Sequence, residues 1–213
     1  MLRYHPGLQI FRKKRDVMTY LLRLSIIVLA MISWPVLADD DSNRVSLNMR
    51  WHDVEFWRSA TPQDIQAGLA QGIIDLDARS ENGWSPLDFA ASYNTNPEVV
   101  AALVQAGADV GARAENGLSP LHVAASYNTN PEVVTALVQA GADASARAEY
   151  GVSPLHFAAR FNKNPSMVRV LLEAGANPKA KDGEGKTAFD RIQDNEALKN
   201  TDIYWQLNEL QYQ

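Results

Sequence analysis

The sequence predicts an all-α solenoid made of helix-loop-helix-hairpin units of 34 residues, closed by capping helices at both ends. Gly83, Gly117, Gly151 and Gly185 stand 34 residues apart. Each opens a block with the same apolar and turn pattern, and the first two blocks differ at only seven of 34 positions. A unit of that length cannot bury its own apolar face, so successive copies must stack on one another.

Taken in chain order, residues 1–38 read as a secretory signal peptide cleaved after Ala38. Arg3, Arg12, Lys13, Lys14, Arg15 and Arg23 precede or enter an apolar run from Leu24 to Ala38 that is short for a bilayer span, and small residues stand at the cleavage positions. Met18 offers a second start, because Met18 to Ala38 alone has the layout of a bacterial signal. An uncleaved anchor is the alternative. Residues 39–50 form a short tail, with Asp39, Asp40 and Asp41 as solvated charge. Residues 51–82 are expected to make an N-terminal capping repeat, with Trp51, Phe56 and Trp57 as its apolar material and Thr61 to Gly72 as its second helix. Its register slips by one residue, since seven residues separate Gly72 from Arg79 whereas six separate Gly107 from Arg113.

The blocks at 83–116, 117–150 and 151–184 share one internal logic. Ser119 is placed to cap a helix whose first residue is Pro120, a position that suits the fixed φ of proline. Leu121, Val123, Ala124 and Ala125 form that helix's apolar side. Asn130 caps a second helix, Pro131 opens it, and Val133, Val134, Leu137 and Val138 recur at helical spacing until Gly141 ends it as a left-handed C′ residue. Ala142 to Tyr150 is turn and extended chain, a projecting hairpin. After Gly185, residues 185–213 read as a C-terminal capping repeat, with Phe189, Ile192, Leu198, Ile203, Trp205, Leu207 and Leu210 as its apolar positions.

Ser119-Pro120-Leu121-His122-Val123-Ala124-Ala125, with Gly141-Ala142-Asp143 at the second helix end, resembles the ankyrin repeat and its T-P-L-H-x-A signature. The motif recurs at Ser85 to Ala91 and Ser153 to Ala159, and in degenerate form at Thr187 to Asp190. Ankyrin repeats are usually 33 residues long. The extra residue here falls between the helices, at Tyr127-Asn128-Thr129-Asn130-Pro131-Glu132, and this longer loop is similar to that of bacterial ankyrin repeats. The resemblance implies a protein-binding scaffold, and it places His122 and His156 in a framework slot that holds backbone groups between repeats.

Composition narrows the function classes. Residues 1–38 hold six of the 20 basic and one of the 25 acidic side chains, so the remainder carries 14 against 24 and a formal charge of −10. An acidic body disfavours nucleic acid and anionic membrane surfaces. With no cysteine in the chain, neither a disulfide nor a cysteine-linked lipid anchor is available. Export without either points to the bacterial periplasm, with secretion as the alternative. No cysteine and no paired histidines on one helix face argue against a transition-metal site, and no catalytic set or cofactor is expected. Ala180 to Thr187 formally matches a phosphate-loop pattern, but no apolar strand precedes it, and Gly185-Lys186-Thr187 is the repeat's own Gly-x-Ser register.

The resemblance places partner contacts on the concave face, at the hairpin tips and the exposed side of the first helices. The candidate protein-binding residues are Arg79, Trp84, Tyr93, Arg113, Leu118, Tyr127, Arg147, Tyr150, Arg160 and Phe161. They form a basic column that continues to Lys181 and an aromatic column at 93, 127 and 161. Two bland readings stand beside this one: the aromatics packing under the lengthened loop, and the arginines pairing with Glu81, Glu115 and Glu149. Trp84 and Tyr150 break a copied pattern at positions expected to project. The expected molecule is a monomer free of the membrane after signal cleavage, binding another protein as an immunity or helper protein for an exported enzyme. The alternative is a secreted effector that binds a host protein; an enzyme is the weaker rival.

Overall fold

The structure is a computed structural model that describes residues 53–212. The expectations for the signal peptide, the cleavage after Ala38, the tail at 39–50 and Trp51 lie outside those residues. The described part is helical, with no strand. Helices α1 (Val54–Ser59) and α2 (Pro62–Ala70) open the stack. Three pairs follow: α3 (Pro86–Tyr93) with α4 (Pro97–Gln105), α5 (Pro120–Tyr127) with α6 (Pro131–Gln139), and α7 (Pro154–Phe161) with α8 (Pro165–Glu173). Helices α9 (Ala188–Ile192) and α10 (Asp202–Leu210) close it. First helices pack on first helices and second on second, so that α3, α5, α7 and α9 form one layer and α2, α4, α6 and α8 the other.

The caps explain the boundaries. Ser85, Ser119, Ser153 and Thr187 stand at the N-caps of the first helices, and the proline after each serine takes the first helical position. The second helices open at Asn96, Asn130 and Asn164, whose side chains accept the amide two residues on. Gly107, Gly141 and Gly175 end them at positive φ. The apolar stripe named for the central block is buried except for the half-buried Val138, and Leu87, Leu121 and Leu155 are buried at one equivalent position. Truncating any of these leucines to alanine would cost about 2–5 kcal/mol.

Each block then turns through a hairpin closed by one backbone pair, such as Ala114 N to Leu118 O at 2.9 Å. Gly83 sits at the first tip with φ +75°, and a Cβ there would come within 2.8 Å of the Glu115 amide nitrogen. Both the backbone conformation and the close approach of the next hairpin exclude a side chain. Successive tips touch through single hydrogen bonds, Glu115 N to Asn82 O and Glu149 N to Asn116 O. The register slip at the opening repeat is absorbed locally, because the amides of Ile73 and Ile74 share the Gly68 carbonyl.

The lengthened loop turns out to be the seam of the stack. Asn94, Asn128, Asn162 and Asn195 are buried, and each Nδ2 donates to two carbonyls of the preceding repeat. Asn128 reaches Ala91 O and Asn94 O, both at 2.8 Å. Asn162 reaches Ala125 O and Asn128 O, and Asn195 reaches Ala159 O and Asn162 O. Asn94 starts the series on Trp57 O and Ala60 O. The carbonyls served lie at helix ends, where no intrahelical donor exists. Each Oδ1 also accepts the amide two residues ahead. The second asparagine of the loop adds a lighter strand, Asn130 Nδ2 to Thr95 O and Asn164 Nδ2 to Thr129 O.

This seam predicts an unequal effect of two neighbouring asparagines. Asn128→Ala leaves two buried carbonyls and one amide unpaired and is expected to destabilise by about 3 kcal/mol or more, from roughly 1–3 kcal/mol per orphaned buried group. Asn130→Ala removes a cap and is expected to cost about 1 kcal/mol. Equal urea midpoints for the two variants would contradict the assignment.

Candidate protein-binding face

The repeated histidines have defined jobs. His122 Nδ1 faces the Ser119 backbone N–H at 3.2 Å and the Ser119 hydroxyl at 2.8 Å, while Nε2 faces Val152 O of the next repeat at 3.2 Å. A backbone amide can only donate and a carbonyl can only accept, so Nδ1 is the acceptor and Nε2 carries the proton. His156 repeats this with Ser153 and Lys186 O. Burial is the main cause that lowers the His122 pKa from 6.5 to about 4, and Arg113 adds to it against the opposing Val152 carbonyl. His156 is lowered as well, again chiefly by burial. Asp88 holds the same slot in the first block, and its Oδ2 accepts from Ser85 N and Oγ. Its shorter side chain leaves Oδ1 buried without a partner, and burial raises its pKa.

The arginine column is exposed and bonds to backbone carbonyls instead of the neighbouring glutamates. Arg79 donates to Leu76 O and Ala78 O, Arg113 to Gly117 O, and Arg147 to Lys181 O of the next hairpin. Among the described residues none of the three forms an ion pair with Glu81, Glu115 or Glu149. These guanidiniums brace the hairpins. The aromatic positions divide by repeat. Trp84, expected to project, is half-buried edge-on against Phe89 at 5.4 Å, and Tyr93 is half-buried 6.3 Å from the same ring. Leu118 is half-buried against the core. Tyr127, Phe161 and Tyr150 are 60, 51 and 81 % exposed. Arg160 lies over the Phe161 ring at 5.2 Å.

Three hollows follow this face. One of about 550 Å³ is lined by Ser80, Asn82, Trp84, Phe89 and Tyr93. A second, of about 690 Å³, runs between the lengthened loops past Tyr127, Phe161 and Lys163. A third, of about 300 Å³, lies between Tyr150, Phe157, Arg160, Phe161, Glu184 and Arg191. Phe157, Lys163, Glu184 and Arg191 were not among the sequence candidates. Lys163 and Glu184 depart from the earlier blocks, which have Thr95 and Thr129, and Asn116 and Tyr150, at those positions, whereas Phe157 repeats Phe89 and carried no such signal.

A family model for ankyrin repeats matches residues 90–182 in three copies. Residues 90–182 are an ankyrin repeat array. No curated protein matches the chain. Ankyrin repeats form protein-interaction scaffolds and are generally without catalytic activity. In the stretch that imitates a phosphate loop, the amides of Glu184 and Lys186 both bond Asp182 Oδ1 rather than standing open to an anion. Burial pushes the Asp182 pKa up, but Arg191 and these amides outweigh it and hold the carboxyl below its usual range. Among the described residues no three His, Cys, Asp or Glu side chains gather as a metal site, and no helix is long and apolar enough to cross a membrane.

The histidine geometry fixes a pH dependence. The folded state holds His122 neutral where the unfolded chain protonates it, so the unfolded state binds more protons below pH 6.5. Stability from this group is complete above 6.5 and is lost as the pH falls toward about 4, a change on the order of 3 kcal/mol. His122→Asn, measured by urea unfolding across that window, is expected to be less stable at neutral pH and to show a shallower decline. An unchanged slope would refute the assignment.

Proposed function

We propose that this protein is an exported, periplasmic interaction module that binds another protein along the face formed by its first helices and hairpin tips. One observation carries the reading: Tyr127, Phe161 and Tyr150 expose aromatic rings along a face whose framework is braced by the asparagine, histidine and arginine bonds. Exposed aromatics on a rigid scaffold suit recognition, because the surface is ordered at folding and little further entropy is lost on binding. The module acts by binding, as ankyrin repeat scaffolds generally do. The charge pattern of residues 1–38 and the small residues before Asp39 support export, with the mature chain free of the membrane and monomeric. Within that setting the module guards or assists an exported enzyme, as an immunity or helper protein.

Two measurements test this. Mass spectrometry of the protein recovered from a periplasmic extract is expected to find Asp39 as the mature N terminus; an intact leader would remove the export reading. Trp84, Arg113, Tyr127 and Tyr150 replaced together by alanine are expected to abolish crosslinking to the partner recovered from that compartment. Retention of every crosslink would remove the face assignment.

A further inference from the structure

We propose that the third repeat, 151–184, is where this face takes an acidic segment of its partner: a short stretch with a carboxylate beside an aromatic or aliphatic side chain. This rests on the reading of the face given above and names the chemistry it selects. From the second block to the third the framework stays, with serine, proline, histidine and both loop asparagines in place. The charge changes. Ser126, Thr129, Thr135 and Ser145 give way to Arg160, Lys163, Arg169 and Lys179, while Glu132 and Asp143 become Ser166 and Asn177. Residues 53–150 carry four basic and 13 acidic side chains, whereas 151–212 carry eight of each. The third repeat is thus the relatively cationic part of an acidic solenoid.

Two of these cations flank the exposed aromatics. Arg160 lies over the Phe161 ring, and Lys163 lines the loop hollow on the other side of it. Neither has an ion-pair partner among the described residues. Arg191, by contrast, is buried and bound to Asp182 and Glu184. Phe161 lines both adjoining hollows, so a carboxylate at Arg160 or Lys163 would bring its neighbouring side chain against an aromatic wall.

Tyr150 adds an anchor held at some expense. Its backbone is left-handed at φ 54°, ψ 23°, and its side chain is 81 % exposed. Such a conformation costs a non-glycine residue about 1 kcal/mol or more and persists where surroundings impose it. Here Gly183 donates its amide to the Tyr150 carbonyl, and a Cβ on Gly183 would lie 2.9 Å from that oxygen. A strained aromatic presented to solvent fits recognition better than packing. The acidic first two repeats repel a long polyanion, which argues for a short acidic segment over nucleic acid.

A displayed random heptapeptide library selected on the protein tests this directly. Selected peptides are expected to pair Asp or Glu with Phe, Tyr, Trp or Leu. Synthetic copies should bind at least tenfold more weakly to Arg160→Ser/Lys163→Thr, which restores the residues of the second block and so keeps a framework already used in this chain. The control Arg169→Thr, on the second helix, should change affinity less than twofold. Peptides without acidic residues, or binding indifferent to the double variant yet lost with Trp84→Ala/Tyr127→Ala, would overturn the acidic-segment assignment and leave the face reading standing. No peptide dependent on either pair of positions would overturn both. Self-association, or binding of a twenty-nucleotide oligothymidylate, that the double variant abolishes would place a second copy or a nucleic acid there and overturn the proposal.

Discussion

Everything else in this fold depends on a side-chain amide reaching back one repeat. Hydrophobic burial drives the helices together, but it is non-directional and would tolerate a sliding stack. The Asn128 amide cannot slide, because its two hydrogens meet Ala91 O and Asn94 O while its oxygen holds the start of the next helix. Its own backbone carbonyl then receives Asn162. The result is a continuous ladder from Trp57 at one end to Asn195 at the other, which fixes rise and register without a cysteine in the chain. Hairpin tips meet at single backbone bonds only because this seam has already aligned them.

The parts of the fold that could be read from sequence are those determined by neighbours along the chain. Ser119 with Pro120, Asn130 with Pro131 and Gly141 each act within a few residues, and helices open and close there. The His122 slot could also be assigned, through its resemblance to a known motif. The ladder was harder to see. Asn128 looked like part of an insertion, since its partners lie 34 and 37 residues away and nothing local announces them. The persistence of Asn195 in a capping unit that has lost most other features was the available clue. Trp84 is half-buried for a related reason: a projecting position says where a Cβ starts, not which ring the side chain then finds.

The three full repeats are not equally joined. His122 and His156 each place Nε2 on a carbonyl 30 residues ahead, whereas Asp88 ends short with an orphaned oxygen. The junction between the first and second repeats therefore lacks the histidine tie found at the later junctions. The second and third repeats, which carry Tyr127, Tyr150 and Phe161, sit where the stack is most completely bonded. Presentation of the binding surface and strength of the scaffold coincide there.

The ties between repeats are addressed to main chain. Asn128 reads carbonyls of the unit before it, and His122 reads a carbonyl of the unit after it. A coupling that consults no side chain of its neighbour is indifferent to that neighbour's identity. Gene duplication or unequal recombination could lengthen, shorten or reorder the array without creating a mismatched joint, and the near-identity of the first two blocks is the trace such an exchange leaves. The ladder that makes the molecule stiff in space thus makes it adaptable over generations.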